Sequence, residues 1–229
     1  KSLFLLLAQQ IKKMEHRIPK YVDYIFTLSD SDQIYFEKIF PKKTLQIPVT
    51  FNVENIDNLK IKNSIAHLGS MDWKPNIQGV NWFLNYVKPK LRKEDINIYI
   101  AGKNMPTKYF KYQDTKTIIE GKIDNAKEYI KNKEIIFVPL FSGSGIRIKI
   151  LEAMALGIPV ISTSKGAQGI PYTNKQNILI ANSPLEFKKA ICLLIKNKKL
   201  AQQIGYQGKQ LILRHFSNEI VIKKLRRIL

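Results

Sequence analysis

Four residues between positions 143 and 149 combine the backbone freedom and the charge that a phosphate-binding site needs. Gly143 and Gly145 lie in a short loop, where the absence of side chains lets an anion approach the backbone closely. Arg147 and Lys149 follow at the predicted start of a helix, where free N–H groups and the positive end of the helix dipole attract negative charge. Two cations at that end do not stabilise a helix by themselves, and they therefore indicate that an anion binds there.

Glu152 adds a hydrogen-bond acceptor to this segment. It lies six residues beyond Ile146, about 9 Å along a helix axis, and its side chain would lean back toward the start of the helix. It could then accept hydrogen bonds from hydroxyl groups attached to a bound phosphate, as on a nucleotide ribose. Two plainer interpretations stay open, because a lone Gly-x-Gly loop is a weak motif. Lys149 and Glu152 could form a surface pair worth about 0.2–0.5 kcal/mol, and the glycines could only shape a turn.

The elements around these residues predict a strand–loop–helix–strand unit. The apolar run at residues 135–138 predicts a buried strand, and residues 146–156 carry apolar side chains at helical spacing. Gly157 suits the left-handed position just beyond a helix, and Pro159 prevents its continuation. Residues 160–163 predict a second buried strand. The order indicates a βαβ unit of a parallel sheet, and therefore an α/β fold.

The segment SGSGIRIKILEAMALGIPVIST, residues 142–163, resembles the donor site of the group 1 glycosyltransferases, a large retaining family built from two facing Rossmann-like domains. The resemblance implies that Glu152 binds the nucleotide ribose. It also implies that the loop and helix start bind the diphosphate through Ser142, Gly143, Ser144, Gly145, Ile146, Arg147 and Lys149. Many members carry another glutamate eight positions before this one. This chain has Ser144 there, so the role of that glutamate toward the donor sugar is not carried over.

Two further segments resemble the same family. The wording HLGSMDWKPN, residues 67–76, resembles the first βα turn of the donor domain and implies that Gly69, Ser70 and Lys74 meet the diphosphate or the sugar. The predicted strand at residues 117–120 resembles the one whose following backbone contacts the base. That comparison implies that Gly121, Lys122 and Ile123 lie near the base, although Gly121 is equally explained by a turn. His67 is expected to be structural, and Trp73 to pack.

The resemblance covers residues 21–229 and implies the domain organisation. The expected fold is an α/β, Rossmann-like parallel sheet with helices on both faces, the second half of a two-domain glycosyltransferase. We expect residues 1–49 to be the end of an acceptor-side domain, 50–62 a linker, 63–216 the donor-binding domain, and 217–229 a helix that returns toward the first domain. Residues 1–49 hold only two predicted strands (21–28 and 45–49) and two helices. The expected partner is therefore a missing N-terminal half or a second copy.

The formal net charge of +20 over 229 residues implies attraction to anions: sugar nucleotides, anionic lipid headgroups or nucleic acid. Lysines are spread along the whole chain, so a compositional bias explains the charge equally well, and sequence-specific nucleic-acid binding is not expected. The predicted last helix has a basic outer face formed by Lys223, Lys224, Arg226 and Arg227, which favours a solvated face or a membrane-surface patch. The single cysteine, Cys192, excludes a disulfide within the chain and is consistent with a reducing compartment.

These observations lead to one main functional expectation. The chain, or the longer protein of which it is the donor-binding part, would transfer a sugar from a nucleoside-diphosphate sugar to an acceptor glycan or glycolipid. This would occur in the cytoplasm or peripherally on the inner face of the membrane. No cofactor or metal is expected, because no cluster of residues has metal-ligand spacing. The alternatives are a sugar-nucleotide epimerase of the same architecture and a non-catalytic module that binds anions or a membrane surface.

Overall fold

The computed structural model describes residues 2–53 and 60–226, so part of the predicted linker at 50–62 and Arg227 of the predicted basic face lie outside the described residues. The chain divides into two compact units. One consists of Lys1–Val49 with Val221–Leu229, and the other of Thr50–Ile220. The expected assignment of residues 1–49 to an acceptor-side domain stays a prediction. No helix among the described residues has the length and apolar character needed to cross a membrane.

The first unit contains helix α1 (Ser2–Glu15), a 3-10 turn (Ile18–Lys20), strand β1 (Ile25–Thr27), helix α2 (Asp30–Ile39) and strand β2 (Thr44–Gln46). Ser29 caps α2, because its side-chain oxygen accepts a hydrogen bond from the Asp32 N–H. The predicted strands at 21–28 and 45–49 are both too long. Among the described residues, β1 and β2 pair with each other over three residues in parallel register, and this short pairing sets their length.

The second unit is built on one six-stranded sheet whose strands are all parallel. Along the chain the strands are β3 (Ser64–Leu68), β4 (Asn97–Ala101), β5 (Thr117–Glu120), β6 (Ile135–Val138), β7 (Val160–Ser162) and β8 (Leu179–Ile180). Their spatial order is β5-β4-β3-β6-β7-β8. The expected Rossmann-like parallel sheet is therefore confirmed.

Helices cover both faces of this sheet. They are α3 (Lys74–Trp82, continued by a π turn Phe83–Val87 and a 3-10 turn Lys88–Leu91), α4 (Ala126–Lys131), α5 (Ile148–Ala155), α6 (Pro184–Lys196) and α7 (Lys198–His215). The chain then continues into α8 (Asn218–Leu225), most of which belongs to the first unit. A 3-10 helix at Thr107–Tyr112 was not predicted. Successive strand residues point to opposite faces, so Ile65 belongs to one buried cluster and Ala66 to the other. The two clusters are the cores on the two faces.

Candidate functional site

The order of the strands identifies where a ligand would bind. β3 lies in the middle of the sheet; the chain builds β4 and β5 on one side of it and then returns to add β6 on the other. The connections that leave β3 and β6 therefore run in opposite directions and open a crevice beyond the carboxyl ends of these two strands. In open parallel sheets this switch point is where ligands bind.

A groove of about 430 Å³ occupies this position. One wall comes from the chain after β3 and the other from the loop and helix after β6. Of the predicted site residues, the groove brings together Gly69, Ser70, Ser144, Ile146, Arg147, Lys149 and Glu152. Its lining also contains Leu68, Trp73, Asn76 and Ile148, which the sequence did not assign to a site. Residues more than eighty positions apart in the chain thus share one cleft.

Glycines shape the loop that precedes α5. Gly143 and Gly145 adopt φ values of +94° and +81°, which side chains disfavour. The predicted helix start at Ile146 is wrong, because α5 begins at Ile148 and Arg147 is an extended residue that precedes it. No side chain caps the first turn of α5. The Ile150 N–H donates to the Arg147 carbonyl oxygen, and the N–H groups of Ile148 and Lys149 have no side-chain cap, as an anion site at a helix start requires.

Arg147 explains the late start of the helix. Its guanidinium donates hydrogen bonds back to the carbonyl oxygens of Ser144 and, at 2.6 Å, Gly145, and it lies 5.2 Å from the centre of the Trp73 ring. The residue is buried. Part of the hydrogen-bonding capacity of the guanidinium thus holds the shape of the loop, and its direct contact with a diphosphate stays a prediction.

Lys149 is the lysine in the lining of the groove. Its Nζ donates a 3.0 Å hydrogen bond to Asn76 Oδ1, and a Cβ placed on Gly69 would lie 2.5 Å from the same nitrogen. Burial and then the neighbouring Arg147 charge lower the pKa of Lys149 to about 7, while Glu152 acts in the opposite direction. An anion in the groove would therefore stabilise the protonated ammonium.

Glu152 is half-buried one turn beyond Lys149 on α5. Burial raises the pKa of its carboxyl, and the charge of Lys149 partly offsets this. Within the part of the chain that the structure describes, no ion pair joins Lys149 to Glu152, because Lys149 bonds to Asn76 instead. The plain interpretation of these two residues as a surface pair is therefore wrong.

Sequence reasoning missed Asn76. This buried residue of α3 accepts the Lys149 bond through Oδ1 and donates through Nδ2 to the Ser70 carbonyl oxygen at 2.8 Å. One amide therefore holds both walls of the groove. The sequence signal that could have identified Asn76 is an amide residue in the first turn of the predicted helix that comes after the Gly69-Ser70 turn.

The remaining predicted residues lie outside the groove. Lys74 is exposed at the start of α3, and Ser142 donates a 2.9 Å hydrogen bond to Gln78 on the same helix. Gly143 lies against the Trp73 ring. The other three, Gly121, Lys122 and Ile123, follow β5, which is the edge strand two places from β3. Their predicted contacts with the base stay predictions.

His67 is buried within β3. Its Nδ1 lies 3.0 Å from the Phe137 carbonyl oxygen, which can only accept, so Nδ1 carries the proton and Nε2 is an acceptor. Burial, with Lys149 nearby, holds the pKa of His67 well below its usual range. A neutral histidine that ties β3 to β6 is consistent with the structural role expected for it.

The comparison with protein families decides the assignment. The family described as glycosyl transferases group 1 matches residues 62–197, more than half of the chain and the whole of the groove. The chain belongs to this family. Among the described residues no group of three histidine, cysteine, aspartate or glutamate side chains could hold a metal ion, and the expectation of a metal-free reaction stays a prediction.

Two curated relatives of this group 1 glycosyltransferase chain are longer than the chain itself. An uncharacterized protein in the cps region of Klebsiella pneumoniae is 28% identical over 173 residues, which are 71% of this chain and 45% of that protein. An uncharacterized glycosyltransferase of Methanocaldococcus jannaschii is 26% identical over 234 residues, covering 91% of this chain and 58% of its own length. The chain thus spans about half the length of the curated relatives that it matches.

Solved structures share the fold at low sequence identity. TarM of S. aureus, solved with UDP and saccharides, superposes with a TM-score of 0.78 at 16% identity, covering 96% of this chain and 46% of its own. HepE of Anabaena, solved with UDP-glucose, gives a TM-score of 0.70 at 12% identity, and the superposition covers 92% of this chain and 65% of HepE. A C-terminal domain of a group 1 family protein from Francisella tularensis gives a TM-score of 0.59 at 20% identity, and the superposition covers 74% of this chain and 97% of that domain.

Proposed function

We propose that the groove between the loops after β3 and β6 binds a nucleoside-diphosphate sugar and that the chain is the donor-binding part of a glycosyltransferase. One observation carries the proposal: Lys149 and Glu152 lie one turn apart on α5, behind a glycine-containing loop, at the switch point of the sheet. This places a cation and uncapped N–H groups where a diphosphate would lie. A carboxylate stands one turn further along.

The groove residues take distinct roles in this proposal. Lys149 and the first-turn N–H groups of α5 neutralise the diphosphate, which also stabilises the negative charge that develops on it as the leaving group. Glu152 accepts hydrogen bonds from the ribose hydroxyls. Gly69 and Ser70 contact the diphosphate or the sugar from the opposite wall. The complexes of TarM and HepE with UDP or UDP-glucose support a nucleoside diphosphate as the ligand class.

The proposal extends to the whole reaction. The sugar passes to an acceptor glycan or glycolipid in cell-surface polysaccharide synthesis, with retention of anomeric configuration and without a metal ion, in the cytoplasm or at the inner face of the membrane. Retention is supported by the resemblance of residues 142–163 to the donor segment of retaining enzymes. It is tested by NMR of the first-formed anomer in a transfer assay with the longest available form of the protein, where an inverted anomer contradicts it.

Binding tests the core of the proposal. Titration calorimetry with a panel of nucleoside diphosphates should give saturable binding that Lys149→Met weakens by about tenfold or more, close to 1.4 kcal/mol. Lys90→Met is the matched control, because it removes one lysine from an exposed position that does not line the groove and that was not assigned to the site. Equal loss in both variants would show that general charge attraction, not the groove, holds the nucleotide.

A further inference from the structure

A second cavity, of about 580 Å³, lies at the opposite edge of the same sheet. Ile135, the first residue of β6, and Pro159, which precedes β7, form part of its wall. The donor groove lies beyond the carboxyl ends of the strands, whereas this cavity lies at their amino ends. The two sites are therefore separated by the full length of the strands and share no lining residue.

Lysines dominate the lining of this second cavity. Lys60, Lys62, Lys198 and Lys209 line it, and Glu134 is the carboxylate among the lining residues that the structure describes. Glu134 Oε2 already accepts hydrogen bonds from Lys198 Nζ at 2.6 Å and from the Asn63 N–H at 3.0 Å. Lys209 has an interaction of its own, which leaves Lys60, Lys62 and Lys198 with one engaged carboxylate among the described lining residues, an excess of positive charge.

Two local features bear on that charge. Burial lowers the pKa of Lys60, the charge of Glu134 opposes this, and the charge of Lys198 has a smaller effect that also lowers the pKa, so an anion beside Lys60 would favour its protonated form. Helix α7, which is 18 residues long, begins at Lys198, and Ala201 of its first turn and Gln202 just beyond it also line the cavity. The positive end of the α7 dipole therefore adds to the field of the lysines.

We propose that this second cavity binds a ligand that carries phosphate groups, at a site separate from the donor groove. Its volume lies in the range of small-molecule sites. A phosphate between Lys60 and Lys198 would offset their mutual repulsion, and the apolar wall, which includes Leu156 and Leu194, would pack against an uncharged part of the ligand. A soluble phosphorylated metabolite and an anionic lipid headgroup share this chemistry.

The adjacent surface supplies a contrast and a control. A neighbouring depression also contains lysines, but Lys188 and Lys196 there both pair with Glu94, at 3.6 and 3.1 Å. Lys189 is exposed on α6, where it lines that depression but not the second cavity. Replacing Lys189 removes the same charge from the same region without touching the proposed site.

The soluble arm of the test uses inorganic pyrophosphate and amide NMR of the 229-residue chain. We expect the amides of Gly157 and Ala201 to shift with a saturable curve of their own, distinct from that of Gly145 in the donor groove. Lys60→Met should weaken the first curve about tenfold and Glu134→Gln should strengthen it, with Gly145 unaffected. Lys60→Met removes a charge whose burial is unfavourable, so loss of folding does not confound the result.

The lipid arm uses sedimentation with vesicles of phosphatidylcholine alone or with added phosphatidylglycerol. The ligand is a lipid headgroup if the chain binds the anionic vesicles and if Lys60→Met reduces this binding while Lys189→Met preserves it. The ligand is soluble if the chain binds pyrophosphate but not the vesicles. Either result supports the site. The proposal is overturned if pyrophosphate shifts neither the Gly157 nor the Ala201 amide and the anionic vesicles do not sediment the chain. It is equally overturned if Lys189→Met weakens binding as much as Lys60→Met, since the overall positive charge would then explain the effect.

Discussion

Asn76 Oδ1 accepts a 3.0 Å hydrogen bond from Lys149 Nζ and so joins two segments that are 73 residues apart in the chain. The same amide donates to the Ser70 carbonyl oxygen. The turn after β3 and the first turn of α5 are therefore held at a fixed separation. This contact places the Lys149 ammonium against Gly69, and both residues line the groove.

Asn76→Leu should lower the free energy of unfolding by about 1–3 kcal/mol, because it leaves the Lys149 ammonium and the Ser70 carbonyl without their partner. Nucleoside diphosphates should also bind more weakly, since the ammonium is no longer positioned. Urea unfolding and titration calorimetry measure the two effects. Gln78→Leu is the control on the same helix: its partner Ser142 is at the surface, so a change within about 0.5 kcal/mol is expected. Similar losses in the two variants would contradict the role of Asn76.

Gly69→Ala should weaken pyrophosphate binding roughly tenfold, since the added Cβ would lie 2.5 Å from Lys149 Nζ and 2.7 Å from Asn76 Nδ2. The lysine must then leave its position. Gly121→Ala provides the contrast, because nothing lies within 4 Å of a Cβ there and pyrophosphate has no base to reach that part of the chain. Calorimetry with the two variants decides the point, and unchanged binding in Gly69→Ala would show that Lys149 does not contact the diphosphate.

The sequence predicted the local features of this site but not its long-range contacts. The strand at Ile135–Val138, the left-handed Gly157 (φ +66°) and the helix that carries Glu152 follow from periodicity and glycine chemistry over a few residues. The bond between Asn76 and Lys149 depends on how two βα units pack, which no short-range pattern records. The hydrogen bonds from Arg147 to the loop carbonyls could not be predicted for a different reason. A basic residue just before a helix can point either toward a ligand or back toward its own loop, and the sequence does not distinguish the two.

Binding of a diphosphate should weaken as the pH rises. The pKa of Lys149 is lowered to about 7 in the folded chain, whereas an unfolded lysine titrates near roughly 10.4. Between these values the unfolded chain binds more protons, so stability without ligand rises with pH. A bound diphosphate favours the ammonium, so affinity should fall as the pH rises above about 7, by about tenfold in total, with proton uptake on binding. Calorimetry in buffers of different ionisation enthalpy measures both, and Lys149→Met should remove the dependence.

Glu152→Gln should weaken nucleoside diphosphates by about tenfold and leave pyrophosphate nearly unchanged or slightly improved. The ribose hydroxyls donate to the carboxylate, and an amide is a poorer acceptor. Pyrophosphate has no ribose, and the substitution removes a negative charge near Lys149. The two ligands are compared by calorimetry on the same protein preparation. An equal loss for both would place Glu152 at the diphosphate and refute its contact with ribose.

The 229-residue chain should self-associate through α1. Leu3, Phe4, Leu5, Leu6 and Leu7 are each between 45% and 78% exposed, which makes a contiguous apolar surface on one short helix. Such surfaces mark contacts with another chain. Sedimentation velocity should show association that increases with concentration, and Phe4→Glu should reduce it strongly because a charge cannot be buried unpaired in an apolar contact. Leu185→Glu on α6, where the leucine is 54% exposed, is the matched control and should leave association unchanged. A monomer at all concentrations, or equal effects of the two substitutions, would refute association through α1.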